Sequence, residues 1–183
     1  MGHHITPWWF TYTFDNPLRR LIHKPEIILG DYVREGMTVA DFGSGFGFFS
    51  IGMAKLVGPK GRVWSVDIQK ESLAKLEQRA GKAGVMDRIT TVLTPPDRID
   101  LDVTLDFALA FWMLHETPDP EVFLSEVHRL LRPGGMLLVT EPSGHVTDAM
   151  MQDEIDAADR QGFQSEPPQA ITLSRVALFR KPA

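Results

Sequence analysis

An α/β fold, doubly wound around a mainly parallel sheet, is what this sequence predicts, and three stretches predict it. In the first, a mostly apolar run from Met37 to Phe42 meets glycines at alternating positions, Gly43, Gly45 and Gly47, and an apolar segment from Phe48 to Val57 follows. That order reads as strand, tight turn, helix. The second is Arg62–Asp67, a strand ending in a carboxylate, about 20 residues beyond the glycine turn, the separation of parallel neighbours that share one nucleotide site. The third is Leu105–Phe111, almost wholly apolar, as a strand buried on both faces of a parallel sheet must be.

The elements follow in order. Asn16 and Pro17 are N-cap and first-turn signals for a short helix, Leu18 to Lys24, and Pro25 opens another from Glu26 to Tyr32. The first strand is Thr38–Phe42. The helix after the glycines carries Phe49, Met53, Leu56 and Val57, the rhythm of one buried face. After the Arg62–Asp67 strand, a helix from Gln69 to Ala83 buries Leu73, Leu76 and Ala80, with Gly81 and Gly84 closing it. A third strand is expected at Arg88–Leu93 and the fourth at Leu105–Phe111. Asp119 and Pro120 start a helix burying Phe123, Val127, Leu130 and Leu131. Pro133, Gly134 and Gly135 turn into a fifth strand, Met136–Thr140, and a polar helix near Thr147–Arg160 turns Met150, Met151 and Ile155 inwards.

Length and composition bound the function. The 183 residues suit a single domain, 1–183, with no linker or repeat, and 43% hydrophobic against 23% charged residues is ordinary for a globular chain. No apolar run approaches the ~20 residues of a membrane span, and the N-terminus lacks a signal-peptide pattern, so a cytoplasmic protein without a membrane partner is expected. There are no cysteines, which excludes disulfides and thiolate metal sites, and the six histidines show no metal-ligand spacing. A formal net charge of −5 argues against a nucleic-acid partner and for a small-molecule substrate.

The glycine turn has a definite chemistry. Glycine admits positive φ, and a missing Cβ lets a ligand lie against the backbone, where a helix N-terminus offers unpaired N–H groups. A dinucleotide fingerprint needs a third glycine at position 48 or 50, where the chain has Phe48 and Ser50, and no Lys-Ser/Thr follows to make a phosphate-binding P-loop. Asp67 has two readings. As a ligand it accepts hydrogen bonds from both hydroxyls of a ribose; as structure it caps the helix that follows.

Asp41-Phe-Gly43-Ser-Gly45-Phe-Gly47, Asp67, the stretch Leu105 to Glu116 and the stretch Arg129 to Glu141 together resemble the Rossmann-like S-adenosylmethionine-dependent methyltransferases, over roughly residues 30 to 183. The resemblance implies a seven-stranded sheet with helices on both faces, its final antiparallel pair formed by Gly162-Phe163 and Ser174–Arg180 around a loop at Gln164–Gln169. It implies S-adenosylmethionine as cofactor, held by Asp41, Gly43, Ser44, Gly45, Gly47, Asp67, Ile68, Thr94, Pro95, Phe111 and Trp112. Thr94-Pro95-Pro96-Asp97 departs from the acidic or amide side chain with which the family binds adenine. Residues 1–30 are expected to cover the pocket of a cofactor-binding core, 31–183. Trp8, Trp9 and Tyr12 are then candidate pocket walls, or sheet-edge core, and Glu141 is a further pocket candidate.

The implied reaction is methyl transfer to a small molecule. An acceptor that is already a strong nucleophile needs no catalytic residue, whereas a hydroxyl or protonated amine needs a base. His115 is the best candidate, its ordinary pKa of ~6.5 suiting neutral pH, with Glu116 to orient it or act in its place; His145 is weaker. A histidine in this turn also has a structural reading. A non-catalytic S-adenosylmethionine-binding protein or partner subunit, a nicotinamide-linked oxidoreductase, and methylation of RNA or protein stay open as alternatives.

Overall fold

The computed structural model describes residues 23–183, which fall into two compact units, 23–94 and 95–183. The expected helix at Leu18–Lys24 and the residues Trp8, Trp9 and Tyr12 lie outside or almost wholly outside the described residues.

In the first unit, helix α1 (Pro25–Leu29) precedes strand β1 (Thr38–Phe42), helix α2 (Phe48–Leu56), strand β2 (Arg62–Asp67), helix α3 (Lys70–Ala83), a 3-10 turn (Met86–Arg88) and strand β3 (Ile89–Leu93). The strands lie in the order β3-β2-β1. Both pairs are parallel, Thr38 to Phe42 facing Arg62 to Val66, and Val63 to Asp67 facing Ile89 to Leu93. A parallel pair needs a crossover, which α2 and α3 supply. Leu73, Leu76 and Ala80 are buried as the periodicity requires. Gly84 closes α3 in a left-handed conformation (φ 70°), its N–H donating to the carbonyl of Gly81, which itself lies inside the helix. Helix α1 stops at Leu29 rather than Tyr32, and β3 starts one residue late because Met86–Arg88 is a tight turn.

In the second unit, strand β4 (Leu105–Phe111), a 3-10 turn (Leu114–Glu116), helix α4 (Pro120–Leu130), strand β5 (Leu131–Pro142), helix α5 (Asp148–Arg160), strand β6 (Gln164–Glu166) and strand β7 (Ser174–Arg180) follow one another. Their order is β4-β5-β7-β6, the first pair parallel and the other two antiparallel. Asp119 caps α4 as expected, its Oδ1 accepting from the N–H groups of Glu121 (3.0 Å) and Val122 (3.2 Å).

Three expectations are corrected here. β5 starts at Leu131, because α4 passes directly into extended backbone and the Pro-Gly-Gly residues are themselves paired: Gly134 N–H donates to the Lys181 carbonyl and Lys181 N–H to that of Gly135, both at 2.9 Å. The register against β4 shifts there, Leu105 facing Leu131 and Phe107 facing Met136. The last hairpin uses Gln164–Glu166, expected to be loop, instead of Gly162-Phe163, because Gly162 is a left-handed turn residue (φ 89°). Helix α5 is rotated from its expected face. Met151, Glu154, Ala157 and Ala158 point inwards, Met150 is exposed and Ile155 half-buried. Its cap is Thr147, whose Oγ1 accepts from Met150 N–H at 3.2 Å.

Candidate functional site

The glycine turn of the first unit is built from backbone. Gly43, Gly45 and Gly47 all have positive φ (67°, 51° and 78°). The N–H groups of Gly43 and Ser44 donate to the Val66 carbonyl (2.9 and 3.1 Å), and that of Gly45 donates to Asp67 Oδ2 at 2.8 Å. The turn is thus sewn to the end of β2. Gly47 does the work of a close-packing glycine, since a Cβ there would stand 2.5 Å from Leu76 Cγ. Asp41 is buried and accepts from Ser50 Oγ at 2.5 Å, which anchors the first turn of α2 to the end of β1.

Both readings of Asp67 have a basis. Its Oδ1 accepts from Gln69 N–H at 2.9 Å at the entrance to α3, while Gln69 itself is the N-cap and makes no side-chain cap bond. A carboxylate has about four acceptor directions, enough to serve both backbone and a ligand's hydroxyls. Ile68 beside it is exposed, and Thr94, at the end of β3, is buried with its N–H on the Asp67 carbonyl at 3.1 Å.

The second unit gathers a different set. Phe111 is buried at the end of β4. Trp112 follows with φ 59°, a left-handed conformation uncommon outside glycine, asparagine and aspartate. It is held by its N–H on the Thr140 carbonyl (2.7 Å) and by its indole Nε1–H on Ser174 Oγ (3.0 Å). Beyond it, the Glu141 carboxylate grips His115 twice. Glu141 Oε1 accepts from the His115 main-chain N–H at 3.2 Å, and Oε2 meets His115 Nδ1. This places the proton on Nδ1 and leaves the Nε2 lone pair facing away. Glu116 Oε1 lies 4.0 Å from Nε2, beyond hydrogen-bond reach, so orientation of the ring falls to Glu141 rather than Glu116. Glu141 is fully buried and its carboxylate is engaged with His115. The His145 ring centre lies 5.1 Å from that of His115.

Burial is the largest influence on the His115 pKa and lowers it, but the hydrogen bond to Glu141 and the charges of Glu141, Glu116 and Glu154 together outweigh it and hold it above 6.5. Glu154, on the inner face of α5, is pushed up to about 8, first by burial and then by Glu141, with Asp153 adding to it and His115 partly offsetting it. Sequence reasoning missed Glu154. Its signal was there: it sits three residues from both Met151 and Ala157, on the apolar stripe of its helix. Ser50, the partner of Asp41, and Ser174, the partner of Trp112, were also missed, being nine and 62 residues away in sequence.

A family model described as a methyltransferase domain matches residues 33–169. The chain belongs to that family. This methyltransferase-domain chain is 31% identical over 121 residues to the ubiquinone/menaquinone biosynthesis C-methyltransferase of Haemophilus ducreyi, covering 66% of the chain and 47% of that protein. It is 32% identical over 114 residues to a demethylmenaquinone methyltransferase of Staphylococcus aureus, covering 61% and 45%. The chain therefore spans about half the length of the curated relatives it matches. In structure it superposes on an S-adenosylmethionine-dependent methyltransferase of Aquifex aeolicus with a TM-score of 0.86 at 23% identity, covering 97% of this chain and 100% of that one. The fold is thus the Rossmann-like methyltransferase fold, a mixed seven-stranded sheet, mainly parallel, with an antiparallel pair and helices around it.

The cofactor of this family is S-adenosylmethionine, and the first unit fits it. Among the described residues, the Ser44 hydroxyl is buried without a hydrogen-bond partner, and α2 starts at Gly47 with no side-chain cap. An orphan hydroxyl and the Asp67 carboxylate together supply a donor and acceptors for a polar nucleoside. No described helix is long and apolar enough to cross a membrane.

Proposed function

We propose that the chain is an S-adenosylmethionine-dependent methyltransferase acting on a small-molecule acceptor whose hydroxyl is deprotonated by His115. The observation that carries the reading is the Glu141–His115 pair, an imidazole fixed through both its backbone and its Nδ1 so that Nε2 is free to take a proton. The names of the relatives, which act in ubiquinone and menaquinone biosynthesis, support a ring-bearing acceptor such as a quinol.

When bound, S-adenosylmethionine supplies a methyl group already activated by a positively charged sulfur. Asp67 would hold the ribose hydroxyls, and Gly43, Ser44, Gly45 and Gly47 the polar tail, with Asp41 supporting the turn from beneath. Ile68, Thr94 and Pro95 would border the adenine, and Phe111 and Trp112 the reacting end. His115 Nε2 takes the acceptor proton, and Glu141 stabilises the imidazolium that results, the arrangement by which a carboxylate orients and supports a catalytic histidine. Such general-base assistance is worth about 10²–10⁴ in rate.

Calorimetric titration with S-adenosylmethionine, followed by release of its demethylated product in the presence of a panel of quinols and phenols, tests the reading. Micromolar binding with acceptor-dependent release is expected. Binding without release on any acceptor would identify a non-catalytic binding protein, and no binding would remove the cofactor assignment.

A further inference from the structure

Among the described residues, two that are not glycine have positive φ, Trp112 at 59° and Leu173 at 60°. A bulky residue in that region is strained, and such strain persists only where the surrounding structure holds it. The two are far apart in sequence, yet one hydrogen bond joins their neighbourhoods. The Trp112 indole Nε1–H donates to Oγ of Ser174, the residue next to Leu173, at 3.0 Å. The Ser174 hydroxyl is itself committed: it donates to the Thr172 carbonyl at 3.4 Å, which leaves its lone pairs to accept the indole. The turn that carries it is closed by Ser174 N–H on the Ile171 carbonyl (3.1 Å) and tied to the end of β5 by Ser143 N–H on the Leu173 carbonyl (3.0 Å). The backbone of Trp112 is fixed separately, by its N–H on the Thr140 carbonyl at 2.7 Å.

We propose that Ser174 is a positioning residue that locks the Trp112 indole as a fixed wall of the acceptor site, and that this wall selects a flat aromatic ring, which stacks on it, over a puckered ring of the same size. The inference rests on the reading of the chain as a methyltransferase of a ring-bearing small molecule, with the end of β4 as the reacting end. Ligands of open α/β sheets sit beyond the carboxyl ends of the parallel strands. Trp112 directly follows β4, and its bond to Thr140 sets it at the same end of β5. Its side chain is half-buried, so part of the ring system stays accessible.

The strain has a use if the ring must stay in place. An indole free to rotate loses side-chain freedom when a ligand stacks on it. One that is tethered at its N–H and held at its backbone has lost that freedom on folding, so a ring that fits binds more tightly and one that does not meets a wall that cannot adjust. Phe111 packs against the tryptophan, with ring centres 5.4 Å apart and planes at 41°. Leu173, 58% exposed, adds an apolar residue at the same corner.

The test follows the indole N–H signals of the isotope-labelled full chain by NMR, that of Trp112 being assigned by its loss in Trp112→Phe. The probes are naphthol, which is flat, and decahydronaphthol, its puckered saturated counterpart. In the wild type, naphthol should move the Trp112 signal saturably and bind about threefold to tenfold more tightly than decahydronaphthol, the worth of one aromatic pair. Ser174→Ala should bring the two affinities together and speed exchange of the indole hydrogen with water, and Ser174→Thr, which keeps the hydroxyl, should restore both. Trp112→Phe removes the same bond from its other partner and should also lose most of the preference, read by calorimetry, so a folding failure of the alanine variant leaves the test intact. A Trp112 signal that naphthol leaves in place, or an unchanged preference in either folded variant, would overturn the proposal, since a merely structural hydroxyl does not set the choice between flat and puckered rings. The titration uses neither cofactor nor methyl transfer. Its failure is therefore distinct from failure of the methyltransferase reading, which shows as no binding of S-adenosylmethionine.

Discussion

The two units solve different problems with different materials. In residues 23–94 the site is made of backbone: three left-handed glycines, their N–H groups on Val66 and Asp67, and one carboxylate at a strand end. In residues 95–183 it is made of side chains gathered from distant places, His115 from a 3-10 turn and Glu141 from β5. Backbone geometry suits a cofactor shared by a whole family, because it depends on glycine positions alone. A side-chain cluster can differ between relatives while the scaffold stays constant, which is where acceptor chemistry belongs.

The harshest way to break this comparison is Gly45→Val. A β-branched residue at φ 51° is strained and distorts the turn, so binding of S-adenosylmethionine should vanish while the melting curve stays cooperative. Normal affinity by calorimetry would mean that the turn is only architecture. The second unit is probed by His115→Ala, which should lower kcat by about 10²–10⁴ and leave cofactor affinity unchanged. In the wild type, transfer to a hydroxyl should rise with pH through a pKa above 6.5, because the base must be neutral and its pKa is raised. A profile flat from pH 6 to 9 would assign the acceptor its own nucleophilicity.

Asp67→Ala lies next in size. Loss of its charged hydrogen bonds to a ribose should weaken cofactor binding by about 1–3 kcal/mol, and unchanged affinity would leave Asp67 only its backbone duties at Gly45 and Gln69. The gentlest probe is stability against pH. Glu154 titrates at about 8 in the folded chain and near 4.5 unfolded, so the folded state binds more protons between those values, and stability falls as pH rises across that window. Relative to Glu154→Gln, the wild type should lose melting temperature from pH 5 to 8 and no further above it. A constant difference across that range would show that Glu154 is not buried as the neutral acid.

The sequence by itself determined the first unit nearly to the residue. β1 and β2 span the predicted Thr38–Phe42 and Arg62–Asp67, and the glycines adopt the positive φ that their spacing required, because these features depend on local backbone preference and on an apolar period read over a few residues. β4 at Leu105–Phe111 and the Asp119 cap were legible for the same reason. Tertiary structure alone decided what depends on partners far along the chain. The Pro-Gly-Gly turn became part of β5 because Lys181, nearly fifty residues on, pairs with it. Helix α5 turned Met150 to solvent because which face of the helix is buried is fixed by packing. Glu141 became the partner of His115 because parallel pairing of β4 and β5 carries two residues 26 positions apart to the same end of the sheet.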